Sequence, residues 1–316
     1  MKTAYITGAT GFIGSTLTNL LLKKGYKVVA LGRRSFKEIK LERLPKNKNL
    51  LYLKIPLDEI SKLPDVMKNY PEFDNEKSIF FHFAWGGVNG LSDFNVEAQL
   101  KNVFWSLDSY IASVKLKSKK FIFVGTMEEF FTEKYLNLDY KKHSFFNRHV
   151  VYSLAKTAAR NYLKMISPEY DTDLVFATNS HVMGPKDDRD SFLQVSLKKL
   201  IRGDKLSLTS CDQYFDVISS FDCARAYYLL GEMGVGGKNY WIGSGFPRLL
   251  REYVEIMASC FPNSKPLKFG EMDFDDIGLE KSQFSISQIE NDTGFKPSMT
   301  YQDIVKDLKK YLISQK

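Results

Sequence analysis

Hydrophobic positions in the N-terminal half of the chain follow two alternating patterns. Short runs rich in β-branched and aromatic residues, typical of strands, alternate with longer runs whose apolar residues recur at helical spacing. The strand pattern covers residues 3–7, 27–31, 50–54, 78–83, 120–125 and 173–178, and the helical pattern covers 11–24, 60–67, 95–114 and 152–165. The alternation predicts an α/β fold with a doubly wound parallel sheet, whose ligand site lies at the carboxyl ends of the strands.

The pattern loosens after residue 180, where loops become longer and strands shorter. Helical patterns cover 192–202 and 249–258, and short strand patterns cover 205–208 and 239–242. We therefore predict a first domain over 1–180, with 212–245 partly returning to it, and a smaller C-terminal α/β cap over 181–316.

Composition narrows the class of protein. The chain has 316 residues, of which 44% are hydrophobic and 26% charged, as in a soluble globular protein. Its net charge of +8 is spread over scattered lysines without interleaved aromatic residues, which argues against a nucleic-acid partner. No export signal and no apolar run of the roughly 18 residues that a membrane helix needs is visible, so we expect no membrane partner and a cytoplasmic location.

The cysteines give no sign of a metal site. Cys211, Cys223 and Cys260 lie far apart and have neither the spacing of metal ligands nor that of a disulfide framework. We expect reduced thiols and no bound metal.

A glycine-rich loop follows the first predicted strand. Gly8 permits a tight turn, Gly11 lets the backbone approach a pyrophosphate, and Gly14 allows close packing of the next helix on the strand. The amino end of that helix faces the negative charge. The loop therefore predicts a dinucleotide site, formed by Gly8, Thr10, Gly11, Phe12, Ile13 and Gly14.

The end of the second strand indicates which dinucleotide binds. An NAD site normally places an acidic residue there, but this chain has Gly32 followed by Arg33 and Arg34. Two guanidinium groups without a carboxylate fit a ribose 2′-phosphate. The sequence therefore favours NADP(H) over NAD.

Three further residues form a candidate catalytic set. Tyr152 and Lys156 are spaced four apart on a predicted helix, which puts both side chains on one face. A nearby ammonium lowers the pKa of a phenol, so Tyr152 becomes a usable acid or base. Thr126, at the end of the fifth strand, is placed to hydrogen-bond a substrate oxygen beside Tyr152.

With these motifs the chain resembles the extended short-chain dehydrogenase/reductases, the sugar-nucleotide epimerase, dehydratase and reductase group. The resemblance spans essentially the whole chain and implies a Rossmann-like NADP-binding domain, a substrate-binding cap and a sugar-nucleotide substrate. Further matching segments are Phe81-His82-Phe83-Ala84, Asn102-Val103, Gly184-Pro185, Asp212-Gln213-Tyr-Phe-Asp216, Asp222-Cys-Ala-Arg225, Tyr240-Trp-Ile-Gly243 and Thr293-Gly294-Phe-Lys-Pro297.

The resemblance also assigns roles to individual residues. It implies that Lys156 holds the nicotinamide ribose, and that two helices, 95–114 and 152–165, pair with those of a second copy in a four-helix bundle. It adds Leu57, Phe83 and Ala84, with Tyr152 and Lys156, to the cofactor site, and it implies a sugar-nucleotide site that includes Trp85, Thr126, Asn179, His181 and Phe215.

Some positions depart from the family pattern. Pro56 and Leu57 replace the usual acidic-hydrophobic pair near the adenine, and His181 stands where many members have asparagine. Phe215 stands where epimerase-type members often have an arginine near the diphosphate. Arg189, Arg225 and Arg248 are then the candidates for the phosphate contact.

The positions after Thr126 separate the possible reactions. Met127 stands where the glucose-type 4,6-dehydratases have their catalytic aspartic acid. The pattern Thr126-x-Glu128 resembles the GDP-mannose type of dehydratase. The pattern Gly-Thr-x-Glu-Glu-aromatic resembles the GDP-sugar 4-ketoreductases. Glu128 is either a base for elimination or a ligand of a sugar hydroxyl. Because epimerases and dehydratases regenerate their cofactor internally, whereas a net reduction benefits from the cellular NADPH pool, we favour a 4-ketoreductase. A dehydratase or epimerase that recycles its NAD(P), and a non-catalytic NADP-binding regulator, are the alternatives.

Overall fold

The computed structural model of the protein describes residues 1–40, 42–73, 77–87, 94–137, 139, 149–272 and 278–315. Its strands are β1 (Thr3–Thr7), β2 (Lys27–Gly32), β3 (Leu50–Lys54), β4 (Ile79–His82), β5 (Lys120–Thr126), β6 (Asp173–Asn179), β7 (His181–Met183), β8 (Tyr214–Phe215), β9 (Val217–Ser219), β10 (Asn239–Ile242) and β11 (Arg248–Leu249). Its helices are α1 (Phe12–Lys23), α2 (Leu63–Met67), α3 (Val96–Lys115), α4 (Thr132–Leu136), α5 (Val150–Ile166), α6 (Phe192–Arg202), α7 (Ser220–Met233), α8 (Leu250–Ser259), α9 (Ser287–Thr293) and α10 (Tyr301–Ser314). Within these residues, no helix is long and apolar enough to cross a bilayer.

Seven of the strands form one sheet in the order β10-β6-β5-β4-β1-β2-β3. Strands β3, β2, β1, β4 and β5 pair in parallel, and helices connect successive strands. The predicted Rossmann-like fold is therefore confirmed. The register sets Thr7 beside His82, so the segments that follow β1 and β4 leave the sheet side by side.

Aromatic side chains fill the core of this sheet. Phe80 stacks on Tyr5 and on Phe121, and the edge of Phe121 meets the ring of Tyr110 from α3. All four are fully buried. Fully burying one large apolar side chain contributes about 1.5–3 kcal/mol, so this cluster fixes α3 firmly against the strands.

The chain divides into two compact units. The first comprises Met1–Thr178, Ala224–Tyr240 and Ile289–Phe295, and the second comprises Asn179–Cys223, Trp241–Gln288 and Lys296–Lys316. The second unit has its own apolar core, in which α6, α8 and α10 contribute Leu197, Val254 and Val305. The cofactor-binding and substrate-binding roles of the two predicted domains remain proposals.

Two element predictions are wrong. Residues 205–208 form no strand: Leu206 and Leu208 are buried as the alternation implies, but the segment's contact with 270–272 is limited to single bonds such as that from Met272 N to the Leu208 carbonyl. The helix predicted over 60–67 is instead a 3-10 turn, Leu57–Lys62, followed by α2. Pro64 lacks an amide hydrogen and fits only the first turn of a helix, which explains the break.

Candidate active site

Backbone atoms approach the glycines of the segment that joins β1 to α1 so closely that a side chain does not fit at Gly8 or Gly14. Gly8 has φ of +70°, and a Cβ on it would lie 2.9 Å from the Ala84 amide nitrogen. A Cβ on Gly14 would lie 2.3 Å from the Gly8 carbonyl oxygen. Gly11 caps the amino end of α1 with extended backbone and contributes no capping side chain. Such a bare helix terminus fits a pyrophosphate.

Two other predicted cofactor residues, Phe83 and Ala84, are hydrogen-bonded to Thr7, which directly precedes the glycine loop. The Phe83 amide donates to the Thr7 carbonyl at 3.2 Å, and the Ala84 amide donates to Thr7 Oγ1 at 3.2 Å. The structure therefore places Phe83 and Ala84 against the glycine turn at Gly8. Thr10 lies in the same turn, and Phe12 and Ile13 begin α1. Leu57 begins the 3-10 turn that follows β3, at the carboxyl edge of the same sheet.

The side chain of Tyr52, from β3, packs against the end of β2. The Tyr52 hydroxyl donates to the Arg34 carbonyl at 2.6 Å, and a Cβ on Gly32 would lie 2.6 Å from that hydroxyl oxygen. An acidic side chain therefore has no room at position 32 while Tyr52 keeps this position. Arg33 and Arg34 are exposed beside it.

A carboxylate that the sequence reading did not single out lies near these arginines. Glu38 accepts from the Ser35 amide at 2.7 Å. Hydrogen bonds from Ser35 lower the pKa of Glu38, and the charges of Lys54 and Arg34 lower it further. Glu38 is thus ionised and offsets part of the positive charge at the end of β2.

Lys156 is buried at the carboxyl end of β5. Its side chain is 3% exposed and its Nζ donates to the Val124 carbonyl at 2.7 Å. Burial, opposed by the charge of Glu129 and aided by that of Arg160, lowers the pKa of Lys156 to about 7. An ammonium with so little solvent responds strongly to any charge or hydroxyl placed against it.

Trp85 joins Lys156 to Tyr152. The Lys156 Nζ lies 3.9 Å from the centroid of the Trp85 ring, and the Tyr152 ring meets Trp85 edge-on with centroids 5.8 Å apart. The Trp85 indole N–H donates to Gln99 Oε1 at 2.8 Å, and the Gly86 carbonyl accepts from the Asn102 side chain at 3.0 Å. Side chains of α3 therefore hold Trp85 in place as a wall beside the tyrosine–lysine pair.

Glu128 is buried, with both carboxylate oxygens engaged. Oε1 lies 3.0 Å from His149 Nδ1, and Oε2 accepts from the Tyr135 hydroxyl at 3.0 Å. The Thr126 hydroxyl accepts from the Glu128 amide at 3.3 Å, so Thr126 caps the 3-10 turn Met127–Phe131. The sequence reading missed His149 and Tyr135, although His149 stands immediately before α5 and could have been noticed as a polar helix-start residue.

His82 is buried next to this site and has a hydrogen-bond partner at each ring nitrogen. Burial, with the Lys156 charge, lowers its pKa to about 3, so the ring is neutral. Its two nitrogens lie 3.0 Å from Thr7 Oγ1 and 3.2 Å from Ser106 Oγ. His82 thus ties β4 to β1 and α3.

The second unit brings two of its three predicted substrate residues together. The rings of His181 and Phe215 lie 5.3 Å apart, and His181 Nε2 lies 3.4 Å from Ser191 Oγ, which caps α6. Burial lowers the pKa of His181 to about 3. Asn179, the third of these residues, has its Oδ1 3.8 Å from the Cys223 sulfur.

Of the arginines considered for a phosphate contact, Arg189 already has a partner. Its guanidinium donates to both oxygens of Asp187, at 2.7 and 2.9 Å, and to the Val182 carbonyl at 3.0 Å. Arg225 lies in α7 of the first unit, where its guanidinium is 6.0 Å from the Phe295 ring centroid. Arg248 is exposed on β11.

A glycine cradle at the amino end of α1 and a buried tyrosine–lysine pair on α5 are features expected of an enzyme that works with a nicotinamide dinucleotide. Comparison with known proteins agrees: the sequence profile of the NAD dependent epimerase/dehydratase family matches residues 4–243. The chain belongs to this family. The predicted family and the predicted enzyme class are therefore confirmed.

Individual relatives are distant. CDP-abequose synthase of Salmonella muenchen is 24% identical over 290 residues, covering 90% of each chain. UDP-glucose 4-epimerase of Thermotoga maritima, solved with UDP-glucose, has the same fold with a TM-score of 0.79, 20% identity and 99% of each chain covered. The Bordetella bronchiseptica enzyme WbmH, solved with NAD⁺, gives a TM-score of 0.75 at 20% identity, again over 99% of each chain.

Proposed function

We propose that this protein is an NADPH-dependent ketoreductase that reduces a 4-keto, 6-deoxy sugar carried on a nucleoside diphosphate. In this reaction the bound NADPH supplies a hydride to the keto carbon. The carbonyl electron pair moves onto the oxygen, and the products are the sugar alcohol and NADP⁺.

The residues of the first unit then handle the oxygen and its proton. Tyr152 donates its phenolic proton to the oxygen as negative charge develops there, and it recovers a proton from water afterwards. Thr126 orients the oxygen by a hydrogen bond. Lys156, when protonated, stabilises the tyrosinate left on Tyr152 and holds the nicotinamide ribose.

The hydrogen bonding of Glu128 is the observation that most directly supports reduction over elimination. Elimination of water needs a base with a carboxylate oxygen directed at the sugar. In Glu128 one oxygen faces His149 and the other accepts from Tyr135, and the neighbouring acid position holds the apolar Met127. This arrangement supports reduction by Tyr152 over elimination by Glu128.

The end of β2 supports NADP(H) as the cofactor. Tyr52 fills the space that an acidic residue at position 32 needs, and two exposed arginines follow. A ribose 2′-phosphate is held well by such guanidinium groups, whereas a free 2′-hydroxyl gains nothing comparable from them. An enzyme selective for NADP(H) suits a net reduction, because NADPH is the reductant that a cell supplies.

The name of the curated relatives suggests the nucleotide. CDP-abequose synthase is 24% identical to this chain across nearly its full length, so a cytidine diphosphate sugar is our first choice of substrate. We place its sugar near Trp85 and Thr126, and a role for Asn179, His181 and Phe215 in binding the substrate is part of the same proposal. A cytoplasmic location fits this reaction, since NADPH and sugar nucleotides are both present there.

A homodimer is part of the proposal. Leu100 and Phe104 on α3, and Tyr162 and Met165 on α5, are large apolar or aromatic side chains that are about half exposed or more. Apolar patches of this kind on two neighbouring helices commonly mark an interface. Pairing them with the same patch of a second copy gives the four-helix bundle expected from the sequence.

The test is an assay of the purified protein with a panel of 4-keto-6-deoxy sugars on CDP, UDP, GDP and dTDP. We expect the absorbance of NADPH to fall with at least one of them, and to fall far more slowly with NADH. No loss of NADPH with any of them, combined with elimination or epimerisation of a parent sugar nucleotide without added cofactor, contradicts the proposal. Binding of NADPH without turnover points to a regulator.

A further inference from the structure

One face of α5 carries a row of polar side chains that are not those of the catalytic pair. The row has successive spacings of four, four and three residues, which keeps its members on one side of a helix. Each of them has a partner in the segment that follows Thr126. We name this set the polar ladder: His149, Ser153, Thr157 and Arg160 on the α5 side, and Glu128, Glu129, Thr132 and Tyr135 opposite.

The first rung lies where α5 begins. His149 Nδ1 is 3.0 Å from Glu128 Oε1, and the Tyr135 hydroxyl holds the other oxygen of the same carboxylate. The His149 carbonyl accepts the Ser153 amide at 2.8 Å and so opens the helix. The position of Glu128 therefore sets where the first turn of α5 starts.

The middle rung is made by hydroxyl groups. Thr132 Oγ1 lies 3.0 Å from Ser153 Oγ and 3.1 Å from Thr157 Oγ1. Thr132 and Ser153 are buried, at 8% and 0% exposure. A buried hydroxyl that loses its hydrogen-bond partner costs free energy. A slide or turn of α5 against α4 breaks these bonds and is therefore unfavourable.

The last rung reaches back to Thr126. Arg160 pairs with Glu129, donating to one carboxylate oxygen through Nε and to the other through Nη2. The same Glu129 accepts from the Thr126 amide at 2.8 Å, and Arg160 also donates to Thr178 at 3.2 Å. Glu129 thus links the predicted substrate-orienting residue directly to α5.

We propose that the polar ladder is a positioning device: it fixes the rotation and the height of α5 relative to Thr126, and so places Tyr152 at the substrate oxygen. Side chains reach about 5–6 Å from the axis of a helix, so a turn of α5 by roughly 10° moves the end of the Tyr152 side chain sideways by about 1 Å. Apolar contacts are not directional and tolerate such a turn. The hydrogen bonds of the ladder hydroxyls and carboxylates are directional, so they form at only one alignment of α5. The ladder residues are positioning residues, since Tyr152 and Thr126 make the contacts with substrate.

The proposal rests on the proposed function for its kinetic readout. Thr132→Val keeps the shape of the side chain but removes its hydroxyl, and Thr132→Ser keeps the hydroxyl. A misplacement of about 1 Å can lower turnover about a hundredfold, so we expect kcat of Thr132→Val to fall roughly ten- to hundredfold. The KM for the sugar nucleotide and the Kd for NADPH should change less than about threefold, and Thr132→Ser should recover most of the lost kcat.

Two further variants test the outer rungs, and one serves as a control. His149→Gln and Glu129→Gln should each lower kcat in the same way, with thermal unfolding followed in parallel to show that the variants are folded. Asp65→Asn breaks the exposed ion pair with Lys68 on α2 and should leave kcat unchanged. A fall in Tm with unchanged kcat in the folded ladder variants means that the ladder is merely structural, and overturns the proposal.

Failure of the proposed function is separable from failure of the ladder. If the wild-type protein reduces no ketosugar but eliminates or epimerises a parent sugar nucleotide, the ladder variants are scored on that reaction. A crystal structure of Thr132→Val provides a readout without turnover. We expect α5 to be turned or shifted relative to β5; Tyr152 and Thr126 in wild-type positions contradict the proposal.

Discussion

Substitutions at the end of β2 should change the cofactor preference of the protein from NADPH to NADH. The change is Gly32→Asp together with Tyr52→Phe. In the wild-type protein a Cβ at position 32 lies 2.6 Å from the Tyr52 hydroxyl, and the next nearest atoms are Tyr52 ring carbons at 3.4 Å. Removing the hydroxyl therefore leaves an ordinary van der Waals contact, and the new carboxylate can face the adenine ribose.

The expected size of the effect comes from two contributions. A carboxylate accepting from the ribose 2′-hydroxyl gains about 1.5–3 kcal/mol for NADH. The same carboxylate about 5 Å from a 2′-phosphate opposes NADPH by roughly 3 kcal/mol at an effective dielectric constant of about 20. Together they change the ratio of the two dissociation constants by about 10³–10⁴, since each 1.4 kcal/mol is about tenfold.

The assay is a fluorescence titration of the protein with NADPH and with NADH, which needs no sugar substrate. Tyr52→Phe alone is the matched control and should leave the ratio of the dissociation constants within about threefold, because position 32 still lacks a carboxylate. Gly32→Asp alone should lower Tm, since Tyr52 must move and lose its bond of about 1 kcal/mol to the Arg34 carbonyl. An unchanged preference in the folded double variant refutes the reasoning.

Three other outcomes are expected. Tyr152→Phe should lower kcat by about 10²–10⁴ with little change in NADPH binding, because it removes only the transferred proton; turnover near wild type means that another group is the acid. Burial lowers the pKa of Lys156 from 10.5 to about 7. Between these two pH values Lys156 keeps its proton in the unfolded chain and has lost it in the folded chain. The free energy of unfolding therefore rises with pH across that window. Lys156→Met should therefore raise Tm more at about pH 6 than at about pH 9.5, and an equal change at both rules out a buried charge. Phe104→Asp, at a side chain 64% exposed on α3, should give monomers in sedimentation experiments, and a wild-type protein that sediments as a monomer contradicts the dimer.

Local patterns were enough to predict the sheet and the family. The glycine loop, the alternation of strands and helices, and the Tyr152–Lys156 spacing depend on neighbours in sequence, and the structure has these features where they are predicted, apart from the helix over 60–67. The wrong strand at 205–208 shows the limit of this reasoning. Alternating leucines satisfy burial there, but a strand also needs a partner with a continuous ladder of hydrogen bonds, and periodicity carries no information about the partner.

The contacts that distinguish this site from others with the same motifs come from residues far apart in sequence. Tyr52 reaches Gly32 across neighbouring strands, and Trp85 meets Lys156 across the sheet edge. Glu128 was assigned alternative roles as a base or a sugar ligand because a motif shows only the residue type. Its engagement by Tyr135 and His149 depends on how α4 and α5 pack, which no local pattern contains.

Net reduction of the substrate is the central claim, and the fate of the hydride tests it most directly. The protein is incubated with a 4-keto-6-deoxy sugar on CDP and with NADPH deuterated at the transferable position, and the sugar product is examined by mass spectrometry and NMR. The account predicts one deuterium per sugar, located at C4, with one NADP⁺ formed for each. A product without deuterium, formed while the NADPH remains unconsumed, contradicts it and indicates a cofactor that is recycled within the site.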